Sequence, residues 1–203
     1  LADKLPPATG SARPWPAKAR HGRRMLTLAG CVQPALAPNI NAATARILDR
    51  LGIELFEEAK AGCCGAVRFH LNDQAAAKDD MRRNIDAWWP HVEAGIEAIV
   101  VTASGCGVQV REYGHVLADD AVYAKKAEKI SALCRDPADI ILAERERVLE
   151  LLRPRRADRG KLAFHSPCTL QHGLKIRGVI EAYLEAAGYA LVPVADSHLC
   201  CGS

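Results

Sequence analysis

Eight cysteines stand in this chain of 203 residues, and seven of them fall into a pattern. Cys31 is followed 32 positions later by Cys63-Cys64 and then Gly65; Cys168 is followed 32 positions later by Cys200-Cys201 and then Gly202. The two sets are offset by 137 residues. An identical spacing that ends twice in the tripeptide CCG marks a repeated unit rather than scattered thiols. Cys106 adds a fourth thiol to the first set. Four soft thiolates select Zn²⁺ or an iron–sulfur cluster over hard cations. Structural zinc sites usually draw on CxxC-type knuckles, whereas these ligands come from a vicinal pair and from distant positions. That favours the larger group, with zinc as the alternative. Two plainer readings stand beside it: a vicinal disulfide at Cys63-Cys64, and buried inert thiols. Cys134 has no counterpart in the pattern and reads as an ordinary buried cysteine. His165, His172 and His198 lie near the second set but only His70 near the first, so the pattern does not call for histidine.

The flanking sequence says how these thiols could meet. An apolar run precedes Cys31 (MLTLAG) and another precedes Cys168 (KLAFHSP), each reading as a strand that ends where the cysteine arrives. A helical pattern follows in each case. In the first, Asn39 or Asn41 is a candidate N-cap, Ile47, Leu48 and Leu51 form the face, and Gly52 stops it. In the second, Ile176, Ile180, Tyr183, Leu184 and Ala187 keep the same period up to Gly188. Each helix leads into a further apolar stretch, residues 53–56 or 189–192, and then to CCG. Between the two sets, Asp73 could cap a helix with the face Met81, Ile85, Trp88 and Val92, bent or ended by Pro90. The stretch 98–102 reads as a buried strand delivering Cys106, and Asp136-Pro137 opens a helix expected to reach Leu152. Trp88 and Trp89 read as core or partner-surface aromatics.

Alternating strands and helices predict an α/β fold: two pseudo-repeated parallel-sheet, Rossmann-like units, the second truncated. Ligands of such sheets gather beyond the carboxyl ends of the strands, so the cysteines that follow strands should share one edge. The expected organisation is a basic, Pro-rich linker over 1–23, a first cysteine-rich domain over 24–153, and the start of a second over 154–203. Gly65 and Gly202 fit a turn with positive φ.

Composition narrows the function classes. The net charge of +3 resides in the first 24 residues, which hold six basic side chains and one acid. Residues 25–203 carry 21 basic and 23 acidic side chains, a net of −2, so a nucleic-acid surface is not expected. No run of about 20 apolar residues is present to span a membrane. No charged stretch followed by an apolar one opens the chain, which points to a reducing compartment where cysteine sets more often bind metal than form disulfides. No GxGxxG, Walker A or GxSxG string occurs, leaving nucleotide binding and serine hydrolase chemistry without support.

With its single Cys, a gap of some thirty residues, and CCG, the chain resembles the cysteine-rich CCG domain of heterodisulfide reductases and related proteins. The strings GCVQPALAPNINAATARILDRLGI, AGCCGA, RRNIDAWWPHVEAG, TASGCG and REYGH are similar to those of glycolate oxidase (glycolate dehydrogenase) iron–sulfur subunits. That resemblance implies an electron-transfer subunit of a flavin-dependent 2-hydroxy acid dehydrogenase. A separate FAD-binding flavoprotein subunit would oxidise glycolate, and electrons would pass towards a quinone or another acceptor. It implies a cluster, of 4Fe–4S type, at Cys31, Cys63, Cys64 and Cys106, and a second site at Cys168, Cys200 and Cys201. It also implies a cytoplasmic protein, peripheral on the inner face of the membrane, without a transmembrane segment. Heterodisulfide-reductase-like thiol–disulfide catalysis at a cluster, and a zinc-stabilised docking scaffold, are the competing readings. The sequence departs from the family at three points. Ala103 replaces the first cysteine of a CxxC that would end at Cys106. No CxxCxxCxxxCP run is present. The chain stops at Ser203, before a counterpart of Cys106, so it is expected to be part of a longer electron carrier.

Overall fold

The computed structural model describes residues 14–17, 20–155 and 157–199. Cys200, Cys201 and Gly202, together with residues 1–13, 18 and 19 of the expected linker, lie outside the described residues. The chain runs through strand β1 (Arg23–Thr27), helices α1 (Gln33–Leu36) and α2 (Asn39–Arg50), and β2 (Ile53–Glu57). Helices α3 (Ala66–His70) and α4 (Gln74–Glu93) lead to β3 (Ala98–Val100). Then come α5 (Ser104–Arg111), α6 (Tyr113–Val116), α7 (Ala124–Leu133), β4 (Cys134–Arg135), α8 (Pro137–Ala143) and α9 (Arg145–Leu152). The last part holds β5 (Lys161–Ala163), a π-helical turn (Thr169–Gly173), α10 (Val179–Ala186) and β6 (Ala190–Val192).

The first four strands form one parallel sheet in the order β2-β1-β3-β4. Thr27 lies opposite both Glu57 and Val100, so β1, β2 and β3 end level with one another. From β1 the chain winds outward first to β2 and then, on the other side, to β3. The gap between β1 and β3 is therefore the switch point where α/β sheets place their ligands. Successive strand residues face opposite ways. Leu26, Ile99 and Val101 pack with Met81, Ile85, Trp88 and Ile130 on one face. Met25, Ala98 and Val100 pack with Ala45, Leu48, Ile140 and Val148 on the other. Helices cover both faces, as an all-parallel sheet requires.

Several local expectations shift. Helix α2 follows Pro38 at the N-cap with no side-chain cap, and Asn41 sits inside its first turn, buried. Its buried face is Ala42, Ala45 and Leu48, while Ile47 is exposed. Helix α4 starts after Asp73 as expected and continues past Pro90 to Glu93, with Val92 packed on the core. The helix expected to reach Leu152 breaks at Glu144 (φ −99°, ψ 24°), whose carboxylate is taken by Arg23 of β1 at 2.6 Å. Trp15 packs on the α2–α9 face, and Arg20 and His21 both pair with Asp49, so this part of the expected linker lies on the domain. β5 and β6 are parallel, with Lys161 opposite Ala190, and Tyr183 of α10 donates its hydroxyl hydrogen to the Ile141 carbonyl at 2.7 Å. Among the described residues no helix is long and apolar enough to cross a membrane.

The expected cap at Asp136 is a full capping box. Its carboxylate accepts from the Ala138 N–H at 2.8 Å while Asp139 accepts from the Asp136 N–H at 3.0 Å. Burial pushes the Asp136 carboxyl up to about 6. A folded-state value above the unfolded one means that the fold binds this proton more tightly. The penalty on the charged form is thus present above pH 6 and relieved as pH falls towards 4. Asp136→Asn keeps the acceptor and cannot ionise. Its urea midpoint should therefore fall less than wild type between pH 5 and pH 8, the difference amounting to at most about 3 kcal/mol.

Candidate metal centre

The level strand ends gather the first cysteine set. Cys31 stands four residues beyond β1, Cys63 and Cys64 six and seven beyond β2, and Cys106 six beyond β3. The sulfurs of Cys31 and Cys63 are 3.5 Å apart. Cys64 lies in the core cluster against which Cys106 packs, and Cys31 feels the charges of Cys63 and Cys64 while Cys106 feels those of Cys31 and Cys63. All four thiols therefore occupy one locality. All four are free, so no vicinal disulfide forms at Cys63-Cys64. Cys31 is exposed, Cys63 and Cys106 are half-buried and Cys64 is buried.

Proton sharing within the set is uneven. The hydrogen bond from Cys64 holds the Cys106 thiol below its ordinary value. The same bond, with burial, raises Cys64 strongly. Partial burial beside the other thiols raises Cys31. A metal or cluster must displace these protons to bind. The Gly65 N–H points at the Cys63 sulfur at 3.4 Å, a fixed donor to a thiolate. Gly65 holds φ at +87°, and a Cβ there would come within 3.0 Å of the Ala77 carbonyl oxygen, so the turn requires glycine.

Two polar networks hold the loops, and neither is evident in the sequence. Asn84 of α4, fully buried, accepts from the Gly62 N–H at 2.8 Å and donates to the Cys63 carbonyl at 2.8 Å. Tyr113, also fully buried, donates to the Cys64 carbonyl at 2.9 Å and accepts from Asn84 at 3.1 Å. Arg83 reaches the Cys63 carbonyl from outside at 3.2 Å. Across the site, Asn41 accepts from Gln33 and from Thr102, each at 2.6 Å, and donates to the Leu28 carbonyl and to Glu57, while Gln33 also donates to the Thr102 hydroxyl at 2.8 Å. It thereby ties together the loops after β1, β2 and β3. The available signal is an Asn on an otherwise apolar helix face, which a buried site tolerates only when every polar atom finds a partner.

The other candidates separate from this centre. Cys168 precedes the π-helical turn, half-buried, and the adjacent Thr169 hydroxyl bonds to the Ser104 hydroxyl. Its expected companions Cys200 and Cys201 lie outside the described residues. His165 and His172 contact the carbonyls of Leu199 and His198, a structural use of imidazole. Cys134 opens β4, buried, with its thiol facing the Gly107 carbonyl at 3.7 Å and pushed up by burial to about 12. It behaves as the inert cysteine expected. Trp88 is core, and Trp89 lies half-buried under the Lys126 ammonium at 5.2 Å. Ala103, in place of a further thiol, is the N-cap of α5.

Comparisons with known proteins fit this arrangement. The chain is 55% identical, over 98% of its length, to the glycolate oxidase iron-sulfur subunit of Escherichia coli (strain K12), of which it covers 48%. It is 27% identical over 85% of its length to lactate utilization protein A of an Exiguobacterium species, covering 68% of that protein. It is 26% identical over 85% of its length to the protein of the same name from Geobacillus thermodenitrificans, covering 69%. The chain thus spans about half the length of the Escherichia coli relative. The family model described as the CCG cysteine-rich domain matches residues 25–111, the stretch from β1 through α5 that contains Cys31, Cys63, Cys64 and Cys106. Through that segment the chain is similar to the CCG cysteine-rich domain family.

Proposed function

We propose that Cys31, Cys63, Cys64 and Cys106 hold an iron–sulfur cluster, of 4Fe–4S type, in an electron-transfer subunit of a glycolate (2-hydroxy acid) dehydrogenase complex. The observation that carries this reading is the convergence of four free thiols from three strand ends at the sheet's switch point. The donor set fits the group. Four soft thiolates drawn from one locality suit an iron–sulfur cluster, with zinc as the alternative. When bound, the cluster supplies one-electron redox chemistry. The chain's own residues orient the sulfurs, exclude water around Cys64 and direct the Gly65 N–H at Cys63. Half-buried and exposed thiols on the other side leave a short way out for an electron.

The name of the Escherichia coli relative supports placing this chain next to a partner in a glycolate oxidase complex. The partner in this reading is an FAD-binding flavoprotein that oxidises the substrate, with a quinone or another acceptor downstream. The complex would lie in the cytoplasm, peripheral on the inner face of the membrane. Residues 24–153 would form the first CCG domain, with 1–23 leading into it. Residues 154–203 would begin a second, with Cys168, Cys200 and Cys201 as its ligands. Anaerobic purification with iron, sulfide and zinc assays is the test. Iron and acid-labile sulfide in equal amounts, stoichiometric with the chain, are expected, and glycolate-dependent dye reduction should co-purify with a flavoprotein. Stoichiometric zinc without iron would leave a docking scaffold in place of an electron carrier.

A further inference from the structure

The vicinal pair sets a geometric problem. Adjacent side chains in extended backbone point to opposite sides, yet Cys63 contacts Cys31 while Cys64 lies in the core cluster against which Cys106 packs. Both peptide planes must therefore be turned and held, with their carbonyls directed away from the sulfurs. Two buried donors do this. The Asn84 amide takes the Cys63 carbonyl and the Tyr113 hydroxyl takes the Cys64 carbonyl, each within 2.9 Å, and the two donors bond to each other at 3.1 Å. Asn84 also accepts from Gly62, so the turn is gripped on its upstream side as well. Both side chains have no exposed surface, so no water replaces either donor if it is removed.

We propose that Asn84 and Tyr113 are a pair of positioning residues that clamp the two cysteine carbonyls and so force both vicinal sulfurs into one site. The proposal deepens the iron–sulfur reading above and rests on it for its purpose, though the clamp itself belongs to the metal-free chain. The pair lies on α4 and α6, elements that contribute no thiol to the site. Their role is therefore distinct from ligation. The Arg83 contact to the same Cys63 carbonyl is longer, 3.2 Å, and comes from an exposed side chain, so it does not replace the buried pair.

Tyr113→Phe removes one hydroxyl and keeps the packed ring. The test uses the full chain stripped of metal by chelation, treated anaerobically with iodoacetamide and read at each cysteine by peptide mass spectrometry. Loss of the hydroxyl leaves a buried carbonyl without its donor, and Cys64 should alkylate about tenfold faster. Cys134, equally buried in the same core cluster, should keep its wild-type rate. An unchanged Cys64 rate would overturn the clamp. A parallel rise at Cys64 and Cys134 would also overturn it, because that is general loosening rather than release of one turn. Asn84→Ala adds a second readout, faster hydrogen exchange at the Gly62 amide that it leaves without an acceptor; if that variant does not fold, Tyr113→Phe decides alone. After reconstitution, Tyr113→Phe should also lose iron to a chelator faster than wild type. A wild-type chain that binds no iron would refute the cluster reading, while the alkylation contrast would still decide the clamp.

Discussion

Cys106→Ala is expected to lower the iron retained after anaerobic reconstitution by at least about tenfold, and Cys134→Ala to leave it unchanged. The two thiols are close in space, since Cys134 faces the carbonyl of Gly107, the residue after Cys106. They differ in what they face. Cys106 receives the Cys64 hydrogen bond and holds the lowered proton affinity of a ready ligand. Cys134 is sealed in the core with its proton affinity raised. Removing Cys106 takes one of the four proposed ligands and also leaves Cys64 without the neighbour that packs beside it, so the buried half of the site is lost at once. Iron and sulfide content with visible absorbance is the measurement. Full iron in Cys106→Ala would exclude it as a ligand, and loss of iron in Cys134→Ala would move the centre to the other side of β3.

The largest effect on stability is expected at Trp88. Its indole is fully buried against the sheet, one turn beyond Asn84 on α4. Trp88→Ala should cost about 3–5 kcal/mol, a large share of the roughly 5–15 kcal/mol that holds a domain together. Trp88→Phe should cost far less. The indole N–H is buried with no hydrogen-bond partner in the structure, and phenylalanine removes that group while filling most of the volume. Denaturant unfolding of the metal-free chain, with the two variants beside wild type, gives the comparison. Equal losses would mean that the N–H is satisfied in solution and that ring volume is not the main contribution.

The gathering of the first four thiols at one sheet edge is legible in the sequence; the side chains that support their loops are not. Each cysteine of the first set follows an apolar run, and a run that reads as a parallel strand fixes where the next loop must emerge. Strand order does not have to be known for the thiols to be assigned to one edge. Asn84 and Tyr113 leave no such trace. A polar residue within an apolar helix face has meaning only once its partners are known, and those partners are backbone carbonyls that carry no residue identity. Helix α3 escapes because five residues after a tight turn show no period. The break at Glu144 has no local signal, since the Arg23 side chain that takes its carboxylate stands 121 residues away. Ile47 fits the period of a buried face that small alanines fill instead, since Ala42 and Ala45 let α2 approach the sheet closely.

The level ends of β1, β2 and β3 carry a consequence for the order of events during biogenesis. Residues 31 and 106 become neighbours only after two crossovers have docked on a parallel sheet, the kind of long-range pairing that forms late and slowly. The first crossover can bring together Cys31, Cys63 and Cys64, and only the second adds Cys106. In the proposed reading, a cluster would therefore gain its full set of four thiols only from a finished cradle, unlike the zinc that nucleates a finger. For a variant that leaves the four thiols and their loops untouched, such as Trp88→Ala, failure to take up iron and sulfide would then report a sheet that has not closed.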